Sequence, residues 1–321
     1  MAMVSVIIPT FNRADRLHIS IESVLAQTYR AIELVVVDDG STDATQAVLA
    51  SLEDKARAAD VTPLFLRKEN GGAAAARNYG VRQAHGEYIA LLDDDDTWRP
   101  DKLALQIAEL QRTGAEVCTC LIEKVRPDGT SRLYPRGPER LHTGNDPAAY
   151  LRGGKSAHTI SQVMRREFYL RIGGFDERLR THEDHEFLRR AAHYGAFCAV
   201  PKVLGAYNLT EDSLTRVKGS WARQLRQDEM TRLSLIVLKE HCGKLPGWDD
   251  AIFCMRAGIE LTKPLRNLLW HREFDAARAW IEDSRQMLGN TRQVRAMRRL
   301  YWRHRLVSLF RRKDPRDKWT D

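Results

Sequence analysis

The stretch Gly86-Glu87-Tyr88-Ile89-Ala90-Leu91-Leu92-Asp93-Asp94-Asp95-Asp96-Thr97-Trp98 decides how the chain is read. Tyr88–Leu92 is a short, continuous apolar run, the mark of a strand buried on both faces of a parallel sheet. The run ends in four adjacent carboxylates. Crowded like charges raise one another's pKa unless a cation compensates, and Mg²⁺ or Mn²⁺, which prefer oxygen ligands, are the usual compensators. A solvated acidic loop capping the helix after Pro100 is the alternative. The apolar strand in front of the cluster weighs against it.

Working upstream, the same pairing of apolar run and helical period repeats three times. Val4–Ile8 is a strand, and Leu17, Ile21, Val24 and Leu25 recur at helical spacing. Ile32–Val37 is a second strand ending at Asp38-Asp39, followed by a helix over Thr42–Ala56 with Ser41 or Thr42 as its cap. Val61–Leu66 is a third strand, and a helix begins in the alanines 73–76, whose small side chains suit close packing on a sheet. Downstream, Leu103, Ile107 and Leu110 mark a helix, and Val117–Val125 is a fifth strand. This alternation predicts an α/β fold, a mainly parallel sheet flanked by helices. Such sheets bind ligands at the carboxyl ends of their strands, where Pro9-Thr10-Phe11-Asn12, Asp38-Asp39 and the four aspartates all fall.

Residues 126–160 read as loops or a short hairpin, and Glu183–Tyr194 as a helix. From about Ser220 the chain reads as helical over Leu225–Leu238, Ala251–Leu261, Phe274–Met287 and Val294–Phe310, with Pro246 and Pro264 as interruptions. The chain has 321 residues, 43% apolar and 29% charged, an ordinary globular composition. Its net charge of +8 resides in residues 292–321, which hold 11 Lys+Arg and 3 Asp+Glu. No apolar run approaches the ~18 residues of a membrane span. No basic leader precedes Val4, so no secretory signal is expected. The five cysteines form no C-x-x-C pair, which argues against a zinc site or a disulfide framework and for a reducing cytoplasm.

Asp93-Asp94-Asp95-Asp96-Thr97 by itself fits two enzyme classes. One is a nucleotide-sugar glycosyltransferase, in which a D-x-D element holds a metal against a pyrophosphate. The other is a haloacid-dehalogenase-type phosphatase, whose D-x-D-x-T pattern is met by Asp93, Asp95 and Thr97. Order separates them. Val4-Ser5-Val6-Ile7-Ile8-Pro9-Thr10-Phe11-Asn12-Arg13 closely resembles the opening of family 2 glycosyltransferases. Val35–Asp43, Glu69-Asn70-Gly71-Gly72 with Ala76-Arg77-Asn78, the aspartate strand, Ile172–Glu177 and Glu183-Asp184-His185-Glu186 are similar to that family's later segments, in family order, over residues 4–215. The phosphatase would open on its acidic strand, whereas three βα units precede it here.

The resemblance implies a GT-A fold over 1–215, with a nucleotide-binding half at 1–112, an acceptor half at 113–215, and a helical region with a basic tail at 216–321. It implies a nucleotide-diphosphate sugar donor, UDP-sugar being the expected one, and inversion at the anomeric carbon. Pro9, Thr10 and Phe11 would line the base, Asp39 would bond the base or ribose, and Arg77 and Asn78 would lie near the base or diphosphate. Asp93 and Asp94 would approach the donor, Asp94 at the ribose. Asp95 would bind the metal, Mn²⁺ or Mg²⁺, and Asp184 would be the catalytic base. Glu183, His185 and Trp98 fall on the acceptor side. Several residues keep a second reading. Asp184 also suits a helix N-terminus, Asp39 also suits a cap, and Trp98 stacks on a sugar or is buried under the next helix. A catalytically silent nucleotide-sugar-binding protein is the remaining alternative.

The family points to bacterial surface polysaccharide, capsule or lipopolysaccharide assembly, with a glycan or lipid-linked glycan as acceptor. The arginines of 292–312 are interleaved with Leu300, Tyr301, Trp302, Leu306 and Val307. They suit either an interfacial helix on the cytoplasmic face of an inner membrane or a helix packed on the catalytic domain or a second copy. Nucleic acid is not expected as a partner.

Overall fold

The computed structural model of the chain describes residues 1–209 and 221–310. The chain forms two compact units, residues 1–217 and 218–321. The position 215/216 and the tail residues Arg311 and Arg312 lie outside the described residues.

The first unit opens with β1 (Val4–Thr10), α1 (Leu17–Leu25), β2 (Ile32–Asp38), α2 (Thr45–Ala58), β3 (Val61–Arg67), α3 (Ala73–Gln83) and β4 (Tyr88–Leu91). Then come β5 (Thr97–Trp98), α4 (Lys102–Thr113), β6 (Val117–Val125), β7 (Ser131–Tyr134), α5 (Ala149–Arg152), β8 (Val163–Arg165), α6 (Arg166–Arg171), α7 (Glu183–Tyr194) and β9 (Phe197–Asn208). One nine-stranded sheet runs β3-β2-β1-β4-β8-β6-β9-β5, with β7 paired to β6. The parallel order expected from the βα alternation holds from β3 to β4. Beyond β4 the sheet is mixed: β8 enters antiparallel to both β4 and β6, while β6 and β9 are parallel. The hairpin within 126–160 is β6–β7.

Strand residues alternate between two cores. Val6, Ile8, Leu34 and Val36 pack with Leu17, Ile21, Leu49, Leu103 and Ile107 of α1, α2 and α4. Ile7, Val35 and Val37 pack with Ala74, Ala76, Val81, Phe168 and Phe187 of α3, α6 and α7. Each fully buried aliphatic side chain contributes roughly 1.5–3 kcal/mol. Close approach of α3 to the sheet rests on its small residues. A Cβ at Gly80 would stand 2.9 Å from methyls of both Ile7 and Val37.

Two local expectations change. Helix α2 begins at Thr45 because Asp43, rather than Ser41 or Thr42, accepts the Thr45 N–H at 3.0 Å. In the second unit, α8 (Trp221–Cys242), α9 (Asp250–Trp270), α10 (Phe274–Leu288) and α11 (Arg292–Phe310) follow one another. Pro246 lies between α8 and α9, but Pro264 lies inside α9 and does not end it. A proline in a helix interior costs about 3 kcal/mol. Here the residue is buried, and Leu261, Leu265, Leu268 and Leu269 around it are buried as well.

Candidate active site

The carboxyl ends of β1, β2 and β4 stand side by side. Thr10 pairs in register with Asp38, and the Leu92 N–H donates to the Ile7 carbonyl at 3.1 Å. This register brings Thr10 to the aspartates, and its hydroxyl donates to Asp94 Oδ2 at 2.7 Å. Burial pushes the Asp94 carboxyl up to about 7, with the Asp95 and Asp93 charges adding to the shift and Thr10 and Arg13 opposing it. Asp95 is raised by burial and by Asp93. Asp96 is raised well above the carboxylate range by its complete burial and then by Asp93 and Asp95. Its Oδ1 accepts the Asn208 N–H at 2.8 Å, while Oδ2 has no hydrogen-bond partner. Crowded oxygens, one of them without a donor, fit a hard divalent cation.

Arg77 ties this cluster to the start of α7. The guanidinium is 5% exposed and bonds Asp93 Oδ1 at 2.6 Å and Glu183 Oε1 at 3.1 Å. Burial pulls its pKa down, but the two carboxylates outweigh that and hold it charged. Glu183 opens α7, so Asp184 stands in the same first turn. Its Oδ1 accepts the His185 N–H at 2.7 Å. Burial acts to raise the Asp184 carboxyl, but His185, His158, the His185 N–H and Arg77 together lower it. The paired Glu183 is raised by burial and by the Asp184 charge. The two neighbouring carboxyls are thus shifted in opposite directions, Asp184 down and Glu183 up. Glu183 is engaged by Arg77, and His185 is exposed beside Asp184.

Other expected residues are placed differently. Pro9 is buried in β1, whereas Phe11 is 45% exposed at its end and free to meet a planar ligand. Asp39 does not cap α2. Its carboxylate accepts from Lys68 Nζ at 2.8 Å, from the Gly71 N–H at 3.0 Å and from the Gly72 N–H at 2.7 Å. It fastens the turn into α3, where Gly72 takes φ +89°. Asn78 has all four hydrogen-bonding positions filled by its own chain. Its amide N–H groups donate to the Phe175 carbonyl and Glu177, and its oxygen accepts from the Phe175 N–H and the Tyr169 hydroxyl. It pins the Gly174-Phe175 turn to α3 and has no group left for a nucleotide. Trp98 is 5% exposed and donates to the Ile160 carbonyl at 3.0 Å. Of its two readings, burial is the one observed, and it offers no face to a sugar.

His158 escaped the sequence reading because it lies in an irregular stretch with no motif around it. It stands against the Tyr207 ring at a 4.3 Å centroid distance, and its Nδ1 is buried with no hydrogen-bond partner. A ring nitrogen of His158 and carboxylate oxygens of Asp93 and Asp96 lie within 4.8 Å of one another.

The GT-A fold is the class that this sheet matches. *Staphylococcus aureus* TarS 1–349 in complex with UDP-GlcNAc superposes with a TM-score of 0.69 over 95% of this chain and 87% of that one, at 19% identity. The mannosyltransferase PcManGT from *Pyrobaculum calidifontis*, in complex with GDP-Man and Mn²⁺, gives 0.59 over 97% and 81%, at 20% identity. The model of glycosyl transferase family 2 matches residues 5–172, and the chain belongs to that family. The succinoglycan biosynthesis protein ExoO of *Rhizobium meliloti* (strain 1021) is 35% identical over 226 residues, 67% of this chain and 63% of that protein. The putative teichuronic acid biosynthesis glycosyltransferase TuaG of *Bacillus subtilis* (strain 168) is 42% identical over 140 residues, 43% of this chain and 54% of that protein. The chain thus spans less than two thirds of the length of either relative. The family match speaks against the phosphatase reading, and Arg77 already occupies an oxygen of Asp93, the nucleophile which that chemistry needs.

Proposed function

We propose that the chain is an inverting glycosyltransferase that moves a sugar from a nucleotide-diphosphate donor to a hydroxyl of a glycan or lipid-linked glycan. The observation that carries this reading is Arg77 bridging Asp93 and Glu183, because it joins the aspartate cluster to the turn holding Asp184. Residues 1–112 would receive the nucleotide, with Phe11 at the base and Thr10 and Asp94 toward the ribose. An Asp39 contact to the base requires Lys68 to give up its place. Asp95 would hold the divalent cation, Mn²⁺ or Mg²⁺, which when bound neutralises charge on the departing diphosphate. Residues 113–215 would receive the acceptor. Asp184, kept ionised, takes the proton of the attacking hydroxyl, a contribution of ~10²–10⁴-fold. A single base opposite the leaving group produces inversion.

UDP is the expected nucleotide, and a UDP-GlcNAc complex of TarS supports it, as the GDP-Man complex of PcManGT supports testing GDP. The names of ExoO and TuaG support a role in surface polysaccharide synthesis, the same setting as capsule and lipopolysaccharide assembly. Among the described residues no helix is long and apolar enough to cross a membrane. A cytoplasmic enzyme resting on the inner membrane through α11 fits that fact and the exposed arginines.

The test is a thermal-shift screen of UDP, GDP and dTDP with and without Mn²⁺, followed by turnover of Asp184→Asn. A bound nucleotide raises the unfolding midpoint by mass action. We expect one nucleotide to do so in a Mn²⁺-dependent way, and the Asn variant to keep that shift while losing turnover by ~10²–10⁴-fold. No shift with any nucleotide would overturn the reading. Undiminished turnover in the variant would remove Asp184 as base, and binding without any transfer would favour the silent binder.

A further inference from the structure

We propose that Lys124, held between the rings of Tyr134 and Tyr207, binds an oxyanion on the acceptor, the carboxylate or phosphate group of an acidic glycan. Lys124 lies near the end of β6, opposite Arg132 of β7 and Tyr207 of β9. Residues two apart on a strand share a face, so Lys124 is on the side of Ile122, whose cross-strand partner is Tyr134. The ammonium meets both rings: Nζ stands 4.3 Å from the Tyr134 centroid and 4.9 Å from that of Tyr207. The His158 ring completes the group, 4.3 Å from Tyr207 and edge-on to Tyr134 at 6.2 Å. Ring faces attract a cation but leave its three N–H donors without an oxygen. Among the described residues, Nζ makes no hydrogen bond and no ion pair.

A solvated surface lysine is the plain alternative, and three facts weigh against it. The residue is half-buried, and burial, then Arg132, lowers its pKa while Asp184 and Asp96 oppose the shift. The two rings fix the ammonium in place, so an incoming anion meets a charge that is already positioned. The rings are also fastened to the aspartates. Asn208, next to Tyr207, donates its N–H to Asp96 at 2.8 Å and its side-chain amide to the Asp95 carbonyl at 2.9 Å. An acidic acceptor would be repelled by Asp93–Asp96, Glu183 and Asp184 unless a cation received it. Arg77 is already committed to Asp93 and Glu183, which leaves Lys124 for that task. Lys124, Tyr134, His158 and Tyr207 all belong to residues 113–215, so the assignment to the acceptor rests on the transferase reading above. A compact ammonium accepts either a carboxylate or a phosphate oxygen.

The experiment uses the full chain without nucleotide or metal, titrated with methyl glucuronide, glucose 6-phosphate and the neutral methyl glucoside and read by ligand-observed NMR. One or both acidic probes should bind about 10-fold more tightly than the neutral one, the worth of a hydrogen bond to a charged group, and the stronger of the two names the oxyanion. Lys124→Met keeps a stem of similar length between the rings and should abolish that preference, whereas Lys124→Arg should retain it. Far-UV circular dichroism and thermal unfolding check that each variant is folded, and Lys124→Gln replaces Lys124→Met should the latter not fold. Equal binding of the three sugars, or an undiminished preference in the folded uncharged variant, would overturn the site. So would a loss confined to the UDP–Mn²⁺ thermal shift in that variant, which would give Lys124 to the donor diphosphate instead. The two readings fail separately. A parent chain that shows no nucleotide shift but a Lys124-dependent preference for acidic sugars loses the transferase reading and keeps the oxyanion site. A metal-dependent nucleotide shift without that preference keeps the transferase and removes Lys124 from acceptor recognition.

Discussion

His142 shows what a single residue contributes when its surroundings favour the neutral ring. The ring lies 4.8 Å from Phe197 and 5.5 Å from Tyr150, centroid to centroid, and is 1% exposed. Burial, with Lys155 and Arg152 adding repulsion, lowers its pKa from 6.5 to about 4. The unfolded chain binds the proton near 6.5 and the folded chain only near 4. The stability from this site is therefore complete above 6.5 and lost as pH falls toward 4, by at most roughly 3 kcal/mol. His142→Phe should flatten the urea-denaturation midpoint between pH 7 and 4.5 relative to the parent. Parallel curves would show that the ring does not titrate in this way. At the same scale, the place of the aspartate run after β4 and of Asp184 in the first turn of α7 was legible from residue type and order. Asn78 and Trp98 were not, because a motif marks that a residue matters without saying whether its atoms face a ligand or its own chain. His158 left no local signal, since its neighbours at the site come from β4 and α7, distant in sequence.

Elements were legible where hydrophobic period and strand length agreed, as in β1, β2, β4, α4 and α7. They were misplaced where a side chain competed for a backbone group, as Asp43 does at the start of α2, or where packing outweighed propensity, as at Pro264 in α9. The alanine-rich start of α3 was read correctly as a close-packing surface, and Gly80 extends it. Gly80→Ala adds a methyl 2.9 Å from Ile7 and Val37. Overpacking of this kind costs ~1–3 kcal/mol, against a gain of up to about 1 kcal/mol in helix propensity. A lower urea midpoint is expected. A higher one would mean that α3 has slack against the sheet.

For the whole molecule, the open question is what meets α11. Trp302 is 62% exposed, Leu306 57% and Val307 44%, among the exposed Arg295, Arg298, Arg299, Arg303 and Arg305. Apolar side chains set among arginines match an anionic lipid surface, where each basic residue adds about 1 kcal/mol. The chain should sediment with phosphatidylglycerol vesicles and not with phosphatidylcholine vesicles, and Trp302→Glu with Leu306→Glu should reduce binding. Equal recovery with both lipids would count against a membrane role and leave packing against a second copy. The sequence alone determined the βα order, the strand ends that carry the polar clusters and the family, because these follow from local period and from residues close together in the chain. The tertiary structure decided the mixed second half of the sheet, the capture of Asp39 and Asn78 by their own chain, and the meeting of His158 with Asp93 and Asp96. Those outcomes depend on register, burial and hydrogen-bond saturation between segments far apart, and no local pattern encodes them.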